Sequence, residues 1–407
     1  MRRLSRLAVR GLLLIGLLDV AVSARADVIT DWNQRASDLV TAHNPGPPGN
    51  ATLVLVQTAV FDAVNAITQQ FPKAASKTLK PDRGASIDAA VAAVNRVLLL
   101  KLAASQQAAI EAAYQAALAG IPDGKAKADG IATGEQAVAE LLARRAVKAA
   151  DTVYYRPVTS PGMYVPTVVP VGGDAPPVAL CWVLDRVDQF RPGPPPELAS
   201  ALWARDYNEI KAMGARTGSK RTQEQTDIAR FWTTTGPAVY YPLARSVAAQ
   251  PGRDVTRNAR FLAVFAQAGV DAIDAVFDAK YKYQFWRPFT AIRNGDQDSN
   301  DATERDASWL PFIETPMHPE YPCAHCTAAG AYGAVLLAEI GSGPVPRLVG
   351  TSPTLPGVTR SWDSVAAFVQ EVSNARIYDG VHYRNSTEVG TLLGQKVGEL
   401  AVAKLMN

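Results

Sequence analysis

Residues 254–288 read DVTRNARFLAVFAQAGVDAIDAVFDAKYKYQFWRP. Leu262, Phe265, Gly269, Ile273, Val276 and Lys280 recur at three- and four-residue spacing, which predicts one face of a long helix over about 254–281. Asp271, Asp274 and Asp278 fall on another face. Gly269 weakens such a helix by about 1 kcal/mol relative to alanine, and leaves a notch for a neighbouring helix. Lys280 ends the apolar stripe, so its ammonium either snorkels to water or meets a buried anion. Seven residues later come Arg287 and Pro288, giving K-x6-R-P.

Working outward, the same periodicity predicts helices at about 51–70 (Asn50 as N-cap), 87–102 (Ser86 as N-cap), 105–119, 125–148, 197–213, 222–234 (Thr222 as N-cap) and 239–249. Further helices are expected from about 324, over 362–376 with Ser361 as N-cap, and over 386–405. Asn385 or Ser386, with Glu388 close behind, reads as the cap of the last one. No alternating run of β-branched residues predicts a sizeable sheet. The expectation is an all-α helical bundle in one domain over 27–407. Its N-terminal half covers about 27–150. A Pro/Gly-rich crossing loop follows at 153–196, and a second half over 197–407.

Composition narrows the function. The chain has 407 residues, 48% hydrophobic and 19% charged, a globular balance. The 41 basic against 38 acidic residues lack the excess of a general nucleic-acid binder. Three cysteines exclude a disulfide-dense scaffold. Residues 1–26 read as an export signal: Arg2, Arg3, Arg6 and Arg10, the apolar run Leu12–Leu18, then Ala24-Arg25-Ala26. That run is too short to cross a bilayer, which takes about 20 residues. Cleavage would remove five arginines and one aspartate, leaving 36 basic and 37 acidic side chains. The expected mature chain has no membrane span and is periplasmic or extracellular.

Only four histidines exist: His43, His318, His325 and His382. His43 reads as a loop residue. The segment His318-Pro319-Glu320-Tyr321-Pro322-Cys323-Ala324-His325-Cys326 turns into a helix, whose first N–H groups favour an anion. The segment Ala375-Arg376-Ile377-Tyr378-Asp379-Gly380-Val381-His382 links the end of one helix to the start of the next. Lys280, Arg287 and Arg376 together would suit a tetrahedral dianion. Two histidines allow one nucleophile or ligand and one acid/base. Cys323 and Cys326 also form C-x-x-C, where a disulfide is open to an exported protein. Cys181 is either a free thiol or a partner to one of them.

These three motifs in this order resemble the vanadium-dependent haloperoxidases and the type 2 phosphatidic acid phosphatases, which share K-x6-R-P, P-S-G-H and S-R-x5-H-x3-D. The likeness covers mainly about 255–400. It implies an all-α fold built from two four-helix-bundle-like halves. It implies an oxyanion site, for vanadate or phosphate, made by Lys280, Arg287, Cys323, Ala324 and Arg376. His382 would bond the vanadium of a haloperoxidase, or attack phosphorus in a phosphatase; His325 would serve as acid/base. The implied reaction is oxidation of bromide or iodide by hydrogen peroxide with vanadate as cofactor. The alternatives are hydrolysis of phosphate esters without vanadate, or a degenerate oxyanion-binding protein. His318 falls near the family's halide side, or is simply a loop residue.

Four positions depart from the pattern. Cys323 replaces a serine donor, Ala324 a glycine and Ala375 a serine. Ser386 replaces the aspartate that orients the histidine, and Glu388 or Asp379 are candidates to supply the missing carboxylate.

Overall fold

The structure, a computed structural model, describes residues 27–44, 46–71, 79–145, 158–167 and 180–406. The expected export signal, residues 1–26, lies outside them, as does much of the crossing loop. The N-terminal helices are α1 (Val28–His43), α2 (Pro47–Thr68), α3 (Ile87–Leu102), α4 (Gln107–Ala119) and α5 (Lys125–Arg144). After the crossing loop come α6 (Ala201–Met213), α7 (Gln223–Phe231), α8 (Pro237–Ala248), α9 (Val255–Tyr283) and α10 (Pro288–Arg293). The last three are α11 (Ala324–Ile340), α12 (Val365–Tyr378) and α13 (Arg384–Leu405). The fold is all-α, as the periodicity predicts.

Local chemistry sets the ends. Ser86 accepts from the Ala89 N–H, and Thr222 with Gln225 closes a reciprocal capping box. Four expectations need correction. Asn50 caps nothing: α2 starts at Pro47, a residue suited to a first turn, and Asn50 Nδ2 instead donates to the Thr235 carbonyl at 2.9 Å. His43 ends α1 rather than sitting in a loop, and its Nδ1 lies 2.6 Å from Ser105 Oγ. Ser364, not Ser361, caps α12, because residues up to Trp362 belong to a two-stranded antiparallel hairpin. Its strands β1 (Leu348–Thr351) and β2 (Thr359–Trp362) pair Leu348 with Trp362, and that indole is buried against Trp232 and Phe368. Finally, Asn385 and Ser386 lie inside α13, which starts from Tyr383 with no side-chain cap.

The 29-residue α9 is the central strut, about 44 Å long at 1.5 Å per residue. It packs on α2, α11 and α13. The notch at Gly269 is filled by Tyr332 of α11: a Cβ at 269 would lie 2.3 Å from that ring. Tyr332 in turn stacks on Phe265, with ring centroids 4.1 Å apart. The acidic face of α9 holds the crossing loop. Asp271 accepts the N–H groups of Trp182, Val183 and Leu184, and Asp278 takes Arg191 in a bidentate pair. Helix α2 is long and apolar enough to cross a membrane over Pro48–Thr68, but it is mostly buried here, against α3 and α9. Its Asp62, 2% exposed, pairs with Arg144.

The main core runs through α1–α3, α8, α9, α11 and α12. A second, aromatic cluster joins Trp203, Tyr207, Phe285, Trp286, Tyr321 and Tyr383. It forms a wall behind the loops that carry Arg287, Glu320 and His382.

Candidate active site

Five chain segments meet at one buried place. Lys280 comes from the last turn of α9, Arg287 is the N-cap of α10, and Arg376 lies in the last turn of α12. His382 sits just before α13, and Cys323, Ala324 and His325 form the start of α11. Lys280, Arg287, Arg376 and His382 are each at most 1% exposed.

The cations are held by carbonyl groups. Lys280 Nζ donates to Pro319 O at 2.9 Å and Glu320 O at 2.7 Å. Arg287 donates through Nε to His318 O and through Nη1 to Val381 O. Arg376 Nη1 donates to Trp232 O and to Asp379 Oδ2 at 2.5 Å. Burial, followed by the other cations, pushes the Lys280 ammonium well below its ordinary range. Burial likewise lowers Arg287 to about 10.

His382 is gripped from both sides. Its Nε2 lies 3.1 Å from Arg287 Nη1, and its Nδ1 lies 2.8 Å from Glu320 Oε1. A guanidinium has only donors, so Nε2 must accept and Nδ1 must carry the proton. Burial and then the charges of Arg287, Lys280 and Arg376 hold the imidazole well below its usual pKa, so it is neutral at pH 7.

Glu320 is the residue that motif reading missed. Neither Glu388 nor Asp379 orients His382: Glu388 lines an outer groove between α11, α12 and α13, and Asp379 belongs to Arg376. Ser386 Oγ is 3.5 Å from His382 Nδ1, at the limit of a hydrogen bond. The available signal was a glutamate between two prolines, two residues before Pro322.

The start of α11 shows a second departure. Cys323 and Cys326 are joined as a disulfide, and Cys323 Sγ accepts the Cys326 N–H at 3.2 Å. Cys323 therefore has no side-chain proton to offer an oxyanion, contrary to the role carried over from the motif. The N–H groups of Ala324 and His325, the first two of the helix, have no acceptor within it. Among the described residues the buried Nε2 of His325 has no hydrogen-bond partner. That nitrogen is free to take a proton. Burial first, then Arg376, lowers its pKa.

His318 lies beside this group. Its Nδ1 is 3.0 Å from Arg287 Nη2, and its ring is 4.9 Å from that of Phe277. Phe285 and Trp286 are buried packing residues. Arg384 pairs with Glu209 away from the cations, and Cys181 is a free thiol raised to about 11, chiefly by burial.

The charge count is decisive for what fits here. Three buried cations face two buried carboxylates, Glu320 and Asp379, and burial raises each of those to about 7. Among the described residues Arg376 Nε is buried without an acceptor, while Glu320 Oε2 and Asp379 Oδ1 are buried without a donor. Three buried cations against two carboxylates raised toward their neutral form fit an anion, and the helix-start N–H groups suit a tetrahedral oxyanion. The residues present fit vanadate or phosphate.

Comparison with known proteins bears on the fold and on the C-terminal region. The family model for the VCPO second helical-bundle domain matches residues 260–407. Vanadium chloroperoxidase of Curvularia inaequalis is 27% identical over 35% of this chain and 28% of that protein, so less than a third of that relative's length is matched. A bacterial vanadium-dependent iodoperoxidase superposes with TM-score 0.71 at 23% identity, covering 93% of this chain and 96% of that one. The apo form of a bacterial vanadium-dependent chloroperoxidase gives TM-score 0.68 at 14% identity, covering 90% and 96%. Residues 260–407 thus match the VCPO second helical-bundle domain, and the described chain shares the helical-bundle fold of these bacterial vanadium-dependent haloperoxidases.

Proposed function

We propose that this chain is a vanadate-dependent haloperoxidase that oxidises bromide or iodide with hydrogen peroxide. The observation that carries the reading is the surplus of buried positive charge around a neutral His382 whose Nε2 carries a lone pair. The whole-length likeness to a bacterial iodoperoxidase supports the choice of chemistry. Export from the cytoplasm, suggested by residues 1–26, belongs to the same proposal.

Vanadate bound here would supply a Lewis acid that polarises hydrogen peroxide toward halide without changing oxidation state. Lys280, Arg287 and Arg376 would hold its oxygens by charge, and the Ala324 and His325 N–H groups would add directed hydrogen bonds. His382 would bond the metal through Nε2. His325 Nε2 would take a proton from peroxide as it enters and return one as hypohalous acid leaves. The aromatic wall of Trp203, Phe285, Tyr321 and Tyr383 excludes water behind His382.

One purification, assayed two ways, tests this. Vanadate-loaded protein should halogenate a phenolic dye with bromide or iodide and peroxide, and His382→Ala should lose that activity. Hydrolysis of an aryl phosphate, inhibited by vanadate, would instead assign the phosphatase chemistry. Tight vanadate binding with neither activity would mark a degenerate site.

A further inference from the structure

We propose that Glu320 positions His382, in place of the carboxylate that the superfamily motif puts where this chain has Ser386. The inference rests on the oxyanion reading of the site.

The geometry is specific. Glu320 Oε1 accepts from His382 Nδ1 at 2.8 Å and from the Tyr383 N–H at 3.1 Å, so one oxygen fixes both the ring and the backbone that carries it. Glu320 is fully buried. Its own backbone is pinned as firmly: its N–H donates to Phe285 O at 2.9 Å, and its carbonyl accepts from Lys280 Nζ at 2.7 Å. The loop that delivers the carboxylate is therefore tied to two residues of the K-x6-R-P segment itself, Lys280 and Phe285. A motif aspartate would reach His382 from one turn along α13. Here the charge arrives from the opposite side, on the stretch leading into α11. Ser386 still lies beside the same nitrogen, at 3.5 Å, so a carboxylate placed at 386 would face it.

The consequence for chemistry is the tautomer. Between the donor Arg287 and the acceptor Glu320, His382 keeps its proton on Nδ1 and its lone pair on Nε2. A histidine that ligates an electrophilic centre needs that arrangement, and a carboxylate behind it raises its basicity. Glu320 touches neither anion nor substrate, so it is a positioning residue. A plain buried anchor for the Tyr383 backbone is the rival account.

The test uses the full chain with 15N-labelled histidine, in four forms: parent, Glu320→Gln, Ser386→Asp, and the double variant. Imidazole 15N shifts give the His382 tautomer without any anion present. Titration calorimetry with orthovanadate gives the affinity. The parent should show the Nδ1–H tautomer. Glu320→Gln should weaken orthovanadate binding by about 10-fold to 100-fold. Adding Ser386→Asp should recover most of that loss, which a backbone anchor does not predict. The proposal is overturned by an Nε2–H tautomer in the parent, by Glu320→Gln binding within twofold of the parent, or by a double variant no better than Glu320→Gln. Should Glu320→Gln not fold, Glu320→Asp takes its place, with weaker orthovanadate binding and its recovery by Ser386→Asp again expected. A parent that shows the Nδ1–H tautomer but binds neither vanadate nor phosphate sinks the oxyanion reading and leaves the role of Glu320 standing.

Discussion

Arg287 Nη1 lies 3.1 Å from His382 Nε2, so the nitrogen meant for the bound centre is covered by a guanidinium donor. The same guanidinium reaches His318 with its other nitrogen and two backbone carbonyls with the rest of its fork. Lysine cannot reproduce four contacts in one plane. Arg287→Lys should therefore weaken orthovanadate binding by at least tenfold while leaving the far-UV circular dichroism unchanged. Calorimetry that finds an unaltered affinity would show that charge alone, without the fork, is enough.

Acidification should tighten the site toward a dianion that does not itself titrate. Glu320 and Asp379, each raised to about 7 chiefly by burial, lose their negative charge as pH falls from 8 to 6. Lys280 and the three site histidines, all lowered by burial, can only gain positive charge over the same interval. Every shift points the same way, so sulfate affinity should rise on going from pH 8 to pH 6. A flat or falling sulfate Kd profile would contradict the assigned directions. The same raised carboxylates make a stability contribution that is present below about pH 4 and lost as pH rises through 7, opposite in sign to that of the lowered histidines.

Much of this was legible in the sequence, for reasons that can be named. The α9 stripe and its notch were readable because helix periodicity and the size of glycine are local properties. Lys280, Arg287, Arg376 and His382 were readable because three spaced motifs, each modest alone, occur in the order of a known family. Glu320 was not: its partner lies 62 residues away, and no periodicity links a loop glutamate to a histidine on another loop. The β1–β2 hairpin was hidden too, since four-residue strands give little alternation to read, and Trp362 is drawn inward by Trp232 and Phe368 rather than by a helical pattern. Cys323 shows the limit of carrying a role across by position: the thiol took the place of the serine in the chain, but its sulfur is engaged by Cys326.

Gly269→Ala weighs propensity against packing. Alanine should favour the helix by about 1 kcal/mol. Its methyl would meet the Tyr332 ring at 2.3 Å, and that ring is fully buried between Phe265 and Tyr240. Overpacking of this kind costs about 1–3 kcal/mol, and a buried ring packed against both Phe265 and Tyr240 has little room to move. The net expectation is a lower urea midpoint with an unchanged slope. A raised midpoint would show that α11 can shift away from α9 at little cost.

Replacing the disulfide should separate stability from anion affinity. In Cys323→Ser with Cys326→Ala, a serine at the start of α11 can still accept the residue-326 N–H, so the helix keeps its cap. Opening so short a loop costs about 2 kcal/mol in the chain-entropy account, so Tm should fall. The serine hydroxyl, unlike the bonded sulfur, has a proton to give. A hydrogen bond to a charged group contributes about 1.5–3 kcal/mol, so orthovanadate should bind roughly tenfold tighter or better. A lower Tm with unchanged affinity would mean that the two helix-start N–H groups, Lys280, Arg287 and Arg376 already saturate the anion. The cysteine would then be neutral toward binding and helpful only to the fold.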